Sequence, residues 1–513
     1  MDLLMPSGRP ATGRVALLVP RWTDRGAREP QGTPFRVFNF GAALLEAGNE
    51  LLFVDQERDL DRADRRAEIA AALAGCEAAF VWMNELYPSN QTLNALRLAE
   101  LAKSSRAALP VIVGGEFITI CPPGLLDLAA PIDFFLRGYG ERSAPMLLAA
   151  LRAGHLPVDV PGIVFRGADG GVAHVPPSRQ PDFTAEYLAL YRLVDMRPYI
   201  QRGGVFGNDQ PTLTVSFGRG CTKGCAFCAW SNHPSRVLPA QDCFDVLAAL
   251  RDRYGVKQFH IGELDFFMSR QRGLELADLL ASHRPDVVWF ALGSPIDLIR
   301  YGDADWDRLR AGGLRKVELG SESGSTDVLQ RIGKRHTAEH VFAISQKMLE
   351  RGIVPMNNFL FGFPGETRAD RAQTLALVDR IRSIAPDMNH FTYRYYQPVW
   401  DTALGELALA AAPSPVTSLD RWLAERPLFV REDVRTMPWL PHEDELEIKA
   451  LVNHDLPLAT SRQPVPGRLR HAFYRVLRRR AQRRLREGRP GPRWERRLYE
   501  RLIALPLDKT YVD

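Results

Sequence analysis

The sequence is short of cysteine and of long apolar runs, and each shortage excludes a class of protein. Only six of its 513 residues are cysteine, which is too few for the disulfide framework of a small secreted protein. No run of 18 apolar residues occurs, so no membrane-spanning helix is expected. The first 15 residues lack the apolar core and cleavage site of a secretory signal. We therefore expect a cytoplasmic protein.

Net charge is also small, at +5, but it is unevenly distributed. Fourteen arginines lie between Arg468 and Arg501, so the rest of the chain is near neutral or slightly acidic. A solvated helix face explains such a segment, and so does a surface for an anionic partner. Aromatic residues are not interleaved with these arginines in the manner of an RNA-binding surface, so nucleic acid is not expected as a partner.

The composition is that of an ordinary globular protein, with 45% hydrophobic and 25% charged residues. The length of the chain suits two or three domains. Short apolar runs at 15–19, 51–55, 78–83, 110–115 and 133–138 alternate with stretches of helical period. This alternation predicts an α/β domain over residues 1–155, with a Rossmann-like, doubly wound parallel sheet. Its ligand crevice would lie beyond the carboxyl ends of the strands. The proline-rich residues 156–205 are expected to be a linker.

A second alternation follows, with apolar runs at 212–218, 258–262, 287–292, 315–320, 354–362 and 388–396. Six repeats of strand then helix predict a partial (β/α)6 barrel over residues 206–400, with its chemistry at the carboxyl ends of the strands. Residues 401–513 are expected to form a mostly helical cap or substrate region with a basic helical tail. In that tail, one helix face should carry Tyr474, Val476, Leu477, Ala481 and Leu485.

Three of the six cysteines, Cys221, Cys225 and Cys228, form a C-x3-C-x2-C cluster directly after the first strand of the predicted barrel. Three thiolates at this spacing can hold three irons of a [4Fe-4S] cluster and leave the fourth iron open to a ligand. We expect them to be metal ligands with a catalytic role. A zinc site with His233 as fourth ligand is the alternative.

This cluster, with Phe227 before its last cysteine, resembles the signature of radical S-adenosylmethionine (SAM) enzymes. Four further stretches resemble elements of that family in the same order: Gly262 and Glu263 in HIGELDFF, Glu322 in LGSESGS, Lys334 in IGKRHT, and the turn in NFLFGFPGET. The resemblance implies that a [4Fe-4S] cluster and SAM are cofactors. It implies that Glu263 binds the methionine amine, that Glu322 lies near the ribose, and that Phe227, Gly262 and Lys334 also border SAM.

The first domain carries a second resemblance, in GGEFITICPPGLLDLAAPIDFFLRGYGE at residues 114–141. It resembles cobalamin-binding domains that precede radical SAM barrels, although Phe117 stands where many relatives carry histidine, and the Asp-x-His-x-x-Gly motif is absent. The resemblance implies cobalamin as a third cofactor, and a nucleotide-binding or vestigial sheet is the alternative. The residues expected to contact cobalamin are Gly114, Gly115, Glu116, Gly138, Gly140, Glu141 and Asn84, the last of which a loop cap explains equally well.

The order of the two domains is that of the cobalamin-dependent radical SAM enzymes of the class B methylase type. This implies C-methylation of an unactivated carbon of a small molecule or peptide, by way of a 5'-deoxyadenosyl radical and methylcobalamin. A flavodoxin or ferredoxin would donate the electron. Two alternatives remain open: oxidation, cyclisation or rearrangement without methyl transfer, and a non-catalytic binding homologue. Methylthiotransferases acting on tRNA carry a second cysteine set that Cys76 and Cys121 do not supply.

Overall fold

The computed structural model describes residues 1–6, 11–21, 33–60, 63–83, 90–126, 131–180, 187–202, 208–385, 388–411, 429–430, 433–434, 436–460, 468–487 and 495. It confirms the predicted fold class: an α/β protein with two large sheets followed by a helical C-terminal region. None of the helices in these residues is long and apolar enough to cross a membrane.

The first sheet has eight strands in the order β1-β3-β2-β4-β5-β6-β7-β8. Its strands are Asp2–Leu4 (β1), Gly13–Val19 (β2), Asn49–Asp55 (β3), Ala78–Met83 (β4), Val111–Gly115 (β5), Phe134–Leu136 (β6), Ile163–Arg166 (β7) and Val172–His174 (β8). The central strands β3, β2, β4, β5 and β6 are parallel. All six residues of β4 are buried, as expected of a strand covered on both faces.

Helices cover this sheet and connect its strands. They are Phe35–Glu46, Gln56–Asp59, Ala63–Ala74, Asn90–Ser105, Glu116–Ile120 and Ser143–Arg152, with a 3-10 turn at Pro123–Leu125.

The first sheet is mixed rather than wholly parallel, because β1, β7 and β8 are antiparallel to their neighbours. Strands β7 and β8 come from the segment expected to be a linker. They form a hairpin around Asp169 and Gly170, where Gly170 has a φ of +81° and the Asp169 carboxylate accepts a hydrogen bond from the Gly171 N–H at 3.0 Å. An Asp-Gly turn of this kind is a strong local hairpin signal.

A helix of the expected linker packs between the two domains. The helix Ala189–Leu193 contacts the helices Phe35–Glu46 and Ala240–Tyr254, and it is followed by a 3-10 turn at Arg197–Tyr199. The hydroxyl of Tyr191 accepts a hydrogen bond from the Ser216 N–H at 2.9 Å. The two sheets therefore share one packed core.

The second sheet is a six-stranded parallel sheet whose spatial order follows the chain, as in a partial barrel. Its strands are Thr212–Val215 (β9), Gln258–Ile261 (β12), Val288–Gly293 (β13), Leu314–Glu322 (β14), Val354–Phe361 (β15) and His390–Tyr395 (β16). The strands β10 (Gly218–Arg219) and β11 (Arg236–Val237) form a separate antiparallel pair after β9. All six predicted barrel strands are confirmed.

The helices of the barrel are Ala240–Tyr254, Arg270–His283, Pro295–Leu298, Asp303–Ala311, Thr326–Arg331, Ala338–Glu350 and Arg368–Ile384, with a 3-10 turn at Phe266–Met268. The C-terminal region comprises the helices Ala403–Ala410, His442–Ala450, Leu456–Thr460 and Arg468–Glu487, a π turn at Leu451–Asp455, and the short strand pair Phe429–Val430 and Asp433–Val434.

The predicted basic helix is present as Arg468–Glu487, and it packs on the helices Arg368–Ile384 and Leu456–Thr460. Its buried face consists of Tyr474, Leu477, Ala481 and Leu485. The placement of Val476 on that face is wrong, because Val476 is 54% exposed. Helical residues turn by about 100° each, so a side chain two positions after Tyr474 points to the far side.

Candidate active site

The three clustered cysteines lie on one loop, residues 216–239, which we call the cluster loop. The pairing of β10 with β11 closes its base. Within it, the Lys223 carbonyl accepts a hydrogen bond from the Asn232 N–H, and the Cys221 carbonyl accepts one from the His233 N–H, both at 3.0 Å. Since the loop directly follows β9, it lies at the carboxyl edge of the parallel sheet, where barrels of this class place reactive groups.

All three cysteines are reduced; Cys225 is buried, and Cys221 and Cys228 are half-buried. Burial raises the pKa of Cys228 to about 12, and the neighbouring Cys225 and Cys221 add to this effect. Burial also raises the pKa of Cys225, although the Lys334 ammonium opposes it. Three mutually close thiols beside a cation are the donor set that an iron–sulfur cluster with an open iron requires, and loading it would release protons.

Among the described residues, no three His, Cys, Asp or Glu side chains converge on a position for a single metal ion. His233, the fourth ligand of the zinc alternative, places its Nδ1 atom 3.0 Å from the Tyr139 hydroxyl. Burial lowers the pKa of His233 to about 4. This imidazole therefore connects the cluster loop to the first domain as a neutral group.

Three of the five residues predicted to border SAM lie together beside the cluster loop. Lys334 Nζ is 3.0 Å from Glu322 Oε1, with both side chains only 10% exposed, and 5.7 Å from the centroid of the Phe227 ring. Burial alone would lower the pKa of Lys334, but the Glu322 carboxylate outweighs it and raises that pKa above its ordinary value. The site thus holds a fixed, fully charged ammonium close to the cysteines.

The backbone of Glu322 is strained, with a φ of +58°, at an irregularity in the pairing of β14 with β15. Backbone strain of this kind in a non-glycine residue persists only where surrounding contacts impose it, and it concentrates at functional sites. The residue that follows the helix Thr326–Arg331 also holds the cluster loop: the Ile332 carbonyl accepts a hydrogen bond from the Ala226 N–H at 3.0 Å.

Gly262 and Glu263 follow β12, but the carboxylate of Glu263 is already engaged. Its Oε2 atom is 2.6 Å from Arg272 Nη2, with both side chains under 5% exposed, and its Oε1 accepts a hydrogen bond from the Phe217 N–H at 3.3 Å. An incoming ammonium would have to compete with Arg272. Sequence reasoning missed Arg272; its only local signal was a lone arginine on the buried face of the helix Arg270–His283.

The two carboxylates predicted to contact cobalamin are also engaged. Glu116 pairs with Arg36 of the same domain at 2.7 Å. Glu141 pairs with Arg219 of the cluster loop, also at 2.7 Å, and the exposed fractions of the two side chains are 1% and 10%. Glu141 therefore forms a buried ion pair between the first domain and the loop that carries the cysteines.

The glycines of the same element are explained by close packing inside the first domain. A Cβ atom on Gly114 would lie 2.4 Å from the Trp82 ring, and one on Gly140 would lie 2.3 Å from it. Gly115 and Gly138 have positive φ angles, of +110° and +87°. Asn84, the remaining residue predicted for cobalamin, lies outside the described residues.

A small, partly open cavity of about 30 Å³ lies between the two domains at the base of the cluster loop. It brings Glu116, predicted for cobalamin, together with Gly262, predicted for SAM. The full lining is Phe35, Arg36, Asn39, Glu116 and Tyr139 from the first domain, and Ser216, Gly218, Arg219, Gly220, Trp230, Gly262 and Leu264 from the second. Sequence reasoning did not single out Trp230, although it lies two residues after Cys228, and it missed Arg36 and Tyr139, which only the fold brings to the cluster loop.

Comparison with known proteins agrees with this architecture. Residues 215–378 match the radical SAM superfamily. An uncharacterized methyltransferase of Pyrococcus horikoshii is 25% identical over 62% of this chain and 67% of its own length. The anaerobic magnesium-protoporphyrin IX monomethyl ester cyclase of Rubrivivax gelatinosus is 24% identical over 73% of this chain and 66% of its own. The chain thus spans about two thirds of the length of these curated relatives.

The fold extends the similarity to the whole chain. The radical SAM methyltransferase TsrM from Kitasatospora setae, in its structure with cobalamin and a [4Fe-4S] cluster bound, superposes with a TM-score of 0.63. The match covers 93% of this chain and 99% of TsrM, at 19% sequence identity. Residues 215–378 therefore form a radical SAM domain, and the chain as a whole has the two-domain fold of TsrM.

Proposed function

We propose that this enzyme depends on cobalamin and methylates an unactivated carbon of a small molecule or peptide. Cys221, Cys225 and Cys228 hold the cluster, and Phe227 and Gly262 border SAM. When bound, the cluster supplies the electron that cleaves SAM to a 5'-deoxyadenosyl radical, and cobalamin carries the methyl group. A flavodoxin or ferredoxin supplies the electron to the cluster.

The cavity between the domains is the observation that carries this proposal. It adjoins the cluster loop on one side and the cobalamin-type sheet on the other, so groups bound by the two domains would meet there. Glu322 and Lys334 supply a paired negative and positive charge at 3.0 Å, which suits a ligand with several hydroxyl and charged groups. The Tyr139 and Trp230 rings are tilted by 35° with their centroids 5.2 Å apart, and they give the cavity an apolar wall.

A radical cyclisation or oxidation without methyl transfer is the second candidate. The similarity to the magnesium-protoporphyrin cyclase, which covers 73% of this chain, favours keeping it. Both candidates need the same cysteines and the same SAM cleavage, so residues of the cluster loop do not separate them. The fate of the SAM methyl group does.

The test is anaerobic reconstitution with iron, sulfide and cobalamin, followed by cleavage of SAM that carries a deuterated methyl group, with dithionite as electron donor. We expect a four-iron cluster, one cobalt per chain, formation of 5'-deoxyadenosine and, with a substrate found by screening, a deuterated methyl group in the product. Transfer of no label into a product that forms would support the cyclase alternative. A chain that binds iron but does not cleave SAM would support a non-catalytic homologue.

The matched pair of variants is Cys225→Ala and Cys243→Ala. Cys243 is a free cysteine buried in the helix Ala240–Tyr254, where its thiol contacts the Leu238 carbonyl at the far end of the cluster loop. Its loss changes thiol content without removing any of the three clustered cysteines. Cys225→Ala should lose the cluster absorption and SAM cleavage together, whereas Cys243→Ala should keep both. Cleavage retained by Cys225→Ala would refute the assignment of the cluster ligands.

A further inference from the structure

The cluster loop carries a buried cation, Lys223, between its first two cysteines. The Lys223 ammonium is 2.6 Å from Asp265 Oδ2 and also contacts Asp297. The side chains of these two carboxylates are 3% and 11% exposed. Arg300 pairs with the other oxygen of Asp297 at 2.9 Å. The Arg300 side chain is 61% exposed, so the part of the group that is largely removed from water is Lys223 with its two carboxylates.

The two carboxylates belong to different strand ends of the barrel. Asp265 lies in the turn after β12, where its Oδ1 also accepts a hydrogen bond from the Ser294 N–H at 3.4 Å. Asp297 lies in the helix Pro295–Leu298, directly after β13. A single side chain from the cluster loop thus spans the ends of two neighbouring strands.

Burying such a group is costly in free energy, because three or more charges lose their hydration, and an apolar cluster of the same volume would usually be as stable. The charged group instead fixes a position, because two carboxylates held at the strand ends leave only one place for the Lys223 ammonium. Without the ammonium, the carboxylates would repel each other in a medium of low dielectric. The loop would then lose its attachment to β12 and β13.

We propose that Lys223, clamped by Asp265 and Asp297, is a positioning residue that fixes the cluster loop on the barrel and holds a positive charge beside the cluster. This inference rests on the proposed function, because it assigns a role within the same site. Lys223 lies midway between Cys221 and Cys225 along the chain, two residues from each. A fixed positive charge there stabilises the reduced, more negative cluster, so it favours uptake of the single electron from an external donor of the ferredoxin or flavodoxin class.

The first arm of the test needs no cofactor. Hydrogen exchange of the backbone amides of residues 221–229 is measured in the full, iron-free chain for wild type, Lys223→Met and Lys257→Met. Lys257 is the matched control, because it forms a 3.3 Å ion pair with Asp286 near β12 but is 58% exposed. Lys223→Met should accelerate exchange by about tenfold, and Lys257→Met should not change it. Equal exchange in Lys223→Met and wild type would overturn the clamp.

The second arm measures the reduction potential of the reconstituted cluster by EPR-monitored titration. Lys223→Met should shift it to more negative values, and Lys223→Arg should restore much of the shift because the charge is kept. Asp297→Asn should shift it the other way, which keeps the test decisive if Lys223→Met fails to fold. Unchanged potentials in all three variants would overturn the electrostatic role. A wild-type chain that takes up no iron would refute the proposed function, while the exchange arm would still decide the clamp.

Discussion

Replacing Glu366 with glutamine should make the chain more stable at alkaline pH and leave its stability nearly unchanged at acid pH. Glu366 lies in the turn after β15 and is 3% exposed. Its Oε2 atom accepts a hydrogen bond from the Gly362 N–H, and within the described part of the chain Oε1 has no hydrogen-bond partner. Burial raises the pKa of Glu366 to about 7, against the opposing effects of the Gly362 N–H and of Arg371.

The sign and size of the effect follow from this pKa. The carboxyl group has an ordinary value of 4.5, so the folded chain holds the Glu366 proton more tightly than the unfolded chain does. The stabilisation is complete below pH 4.5 and is lost as the pH rises through about 7. Each pH unit between the two values corresponds to about 1.4 kcal/mol, which gives a loss of about 3 kcal/mol in the free energy of unfolding. Glutamine is neutral throughout and still accepts the Gly362 hydrogen bond.

The assay is urea unfolding of wild type and Glu366→Gln at pH 5.5 and pH 8.5, followed by tryptophan fluorescence. The gain in stability of the variant over wild type should be about 1.4 kcal/mol at pH 5.5 and should approach about 3 kcal/mol at pH 8.5. Glu350→Gln serves as control, because the Glu350 side chain is 54% exposed. A difference between variant and wild type that is the same at both pH values would refute the reasoning.

Two further predictions concern packing and the domain interface. Leu477→Ala in the basic helix should lower the free energy of unfolding by about 2–5 kcal/mol, because Leu477 is 2% exposed. Val476→Ala should change the free energy of unfolding by less than about 0.5 kcal/mol. Equal losses for the two variants in urea unfolding would contradict the packing of this helix. Arg219→Met should cost about 3–5 kcal/mol, since it removes one partner of the buried ion pair with Glu141, and it should increase proteolysis between the domains. The double variant Arg219→Met/Glu141→Gln should recover part of that loss, and no recovery would show that the ion pair is not the cause.

The strands were predictable because the information for them is local. Residues 78–83 form a continuous apolar run, and the structure buries all six of them in β4. The hairpin of β7 and β8 was missed although its Asp169–Gly170 turn is also local, because the surrounding prolines favoured a connector. The face of the basic helix was predicted for four residues and failed for Val476, where the apolar side chain lies outside the 3.6-residue period.

Less of the candidate site than of the strands could be predicted from the sequence. The spacing of Cys221, Cys225 and Cys228 is a property of one short stretch, so the sequence alone revealed it. The sequence could not predict the ion-pair partners of the charged residues: Arg272 is nine residues from Glu263, and Arg219 is 78 residues from Glu141. Such pairs depend on how strands and domains meet. The sequence also does not tell that Gly114 faces the Trp82 ring, and so it could not separate internal packing from approach to a ligand.

The cations around the cluster loop are each paired with a carboxylate, and this pairing affects how the site binds its ligands. Arg219 pairs with Glu141 of the first domain, Lys223 with Asp265 after β12, and Lys334 with Glu322 at the end of β14. Each pair joins the neighbourhood of the cysteines to a different element, and each cation already has its carboxylate in place. The loop is therefore held before any ligand arrives, so less binding energy is spent on ordering it. Breaking any one pair should weaken ligand binding mainly by displacing the cluster loop and less by changing the net charge of the site, because the remaining pairs keep their own charges balanced.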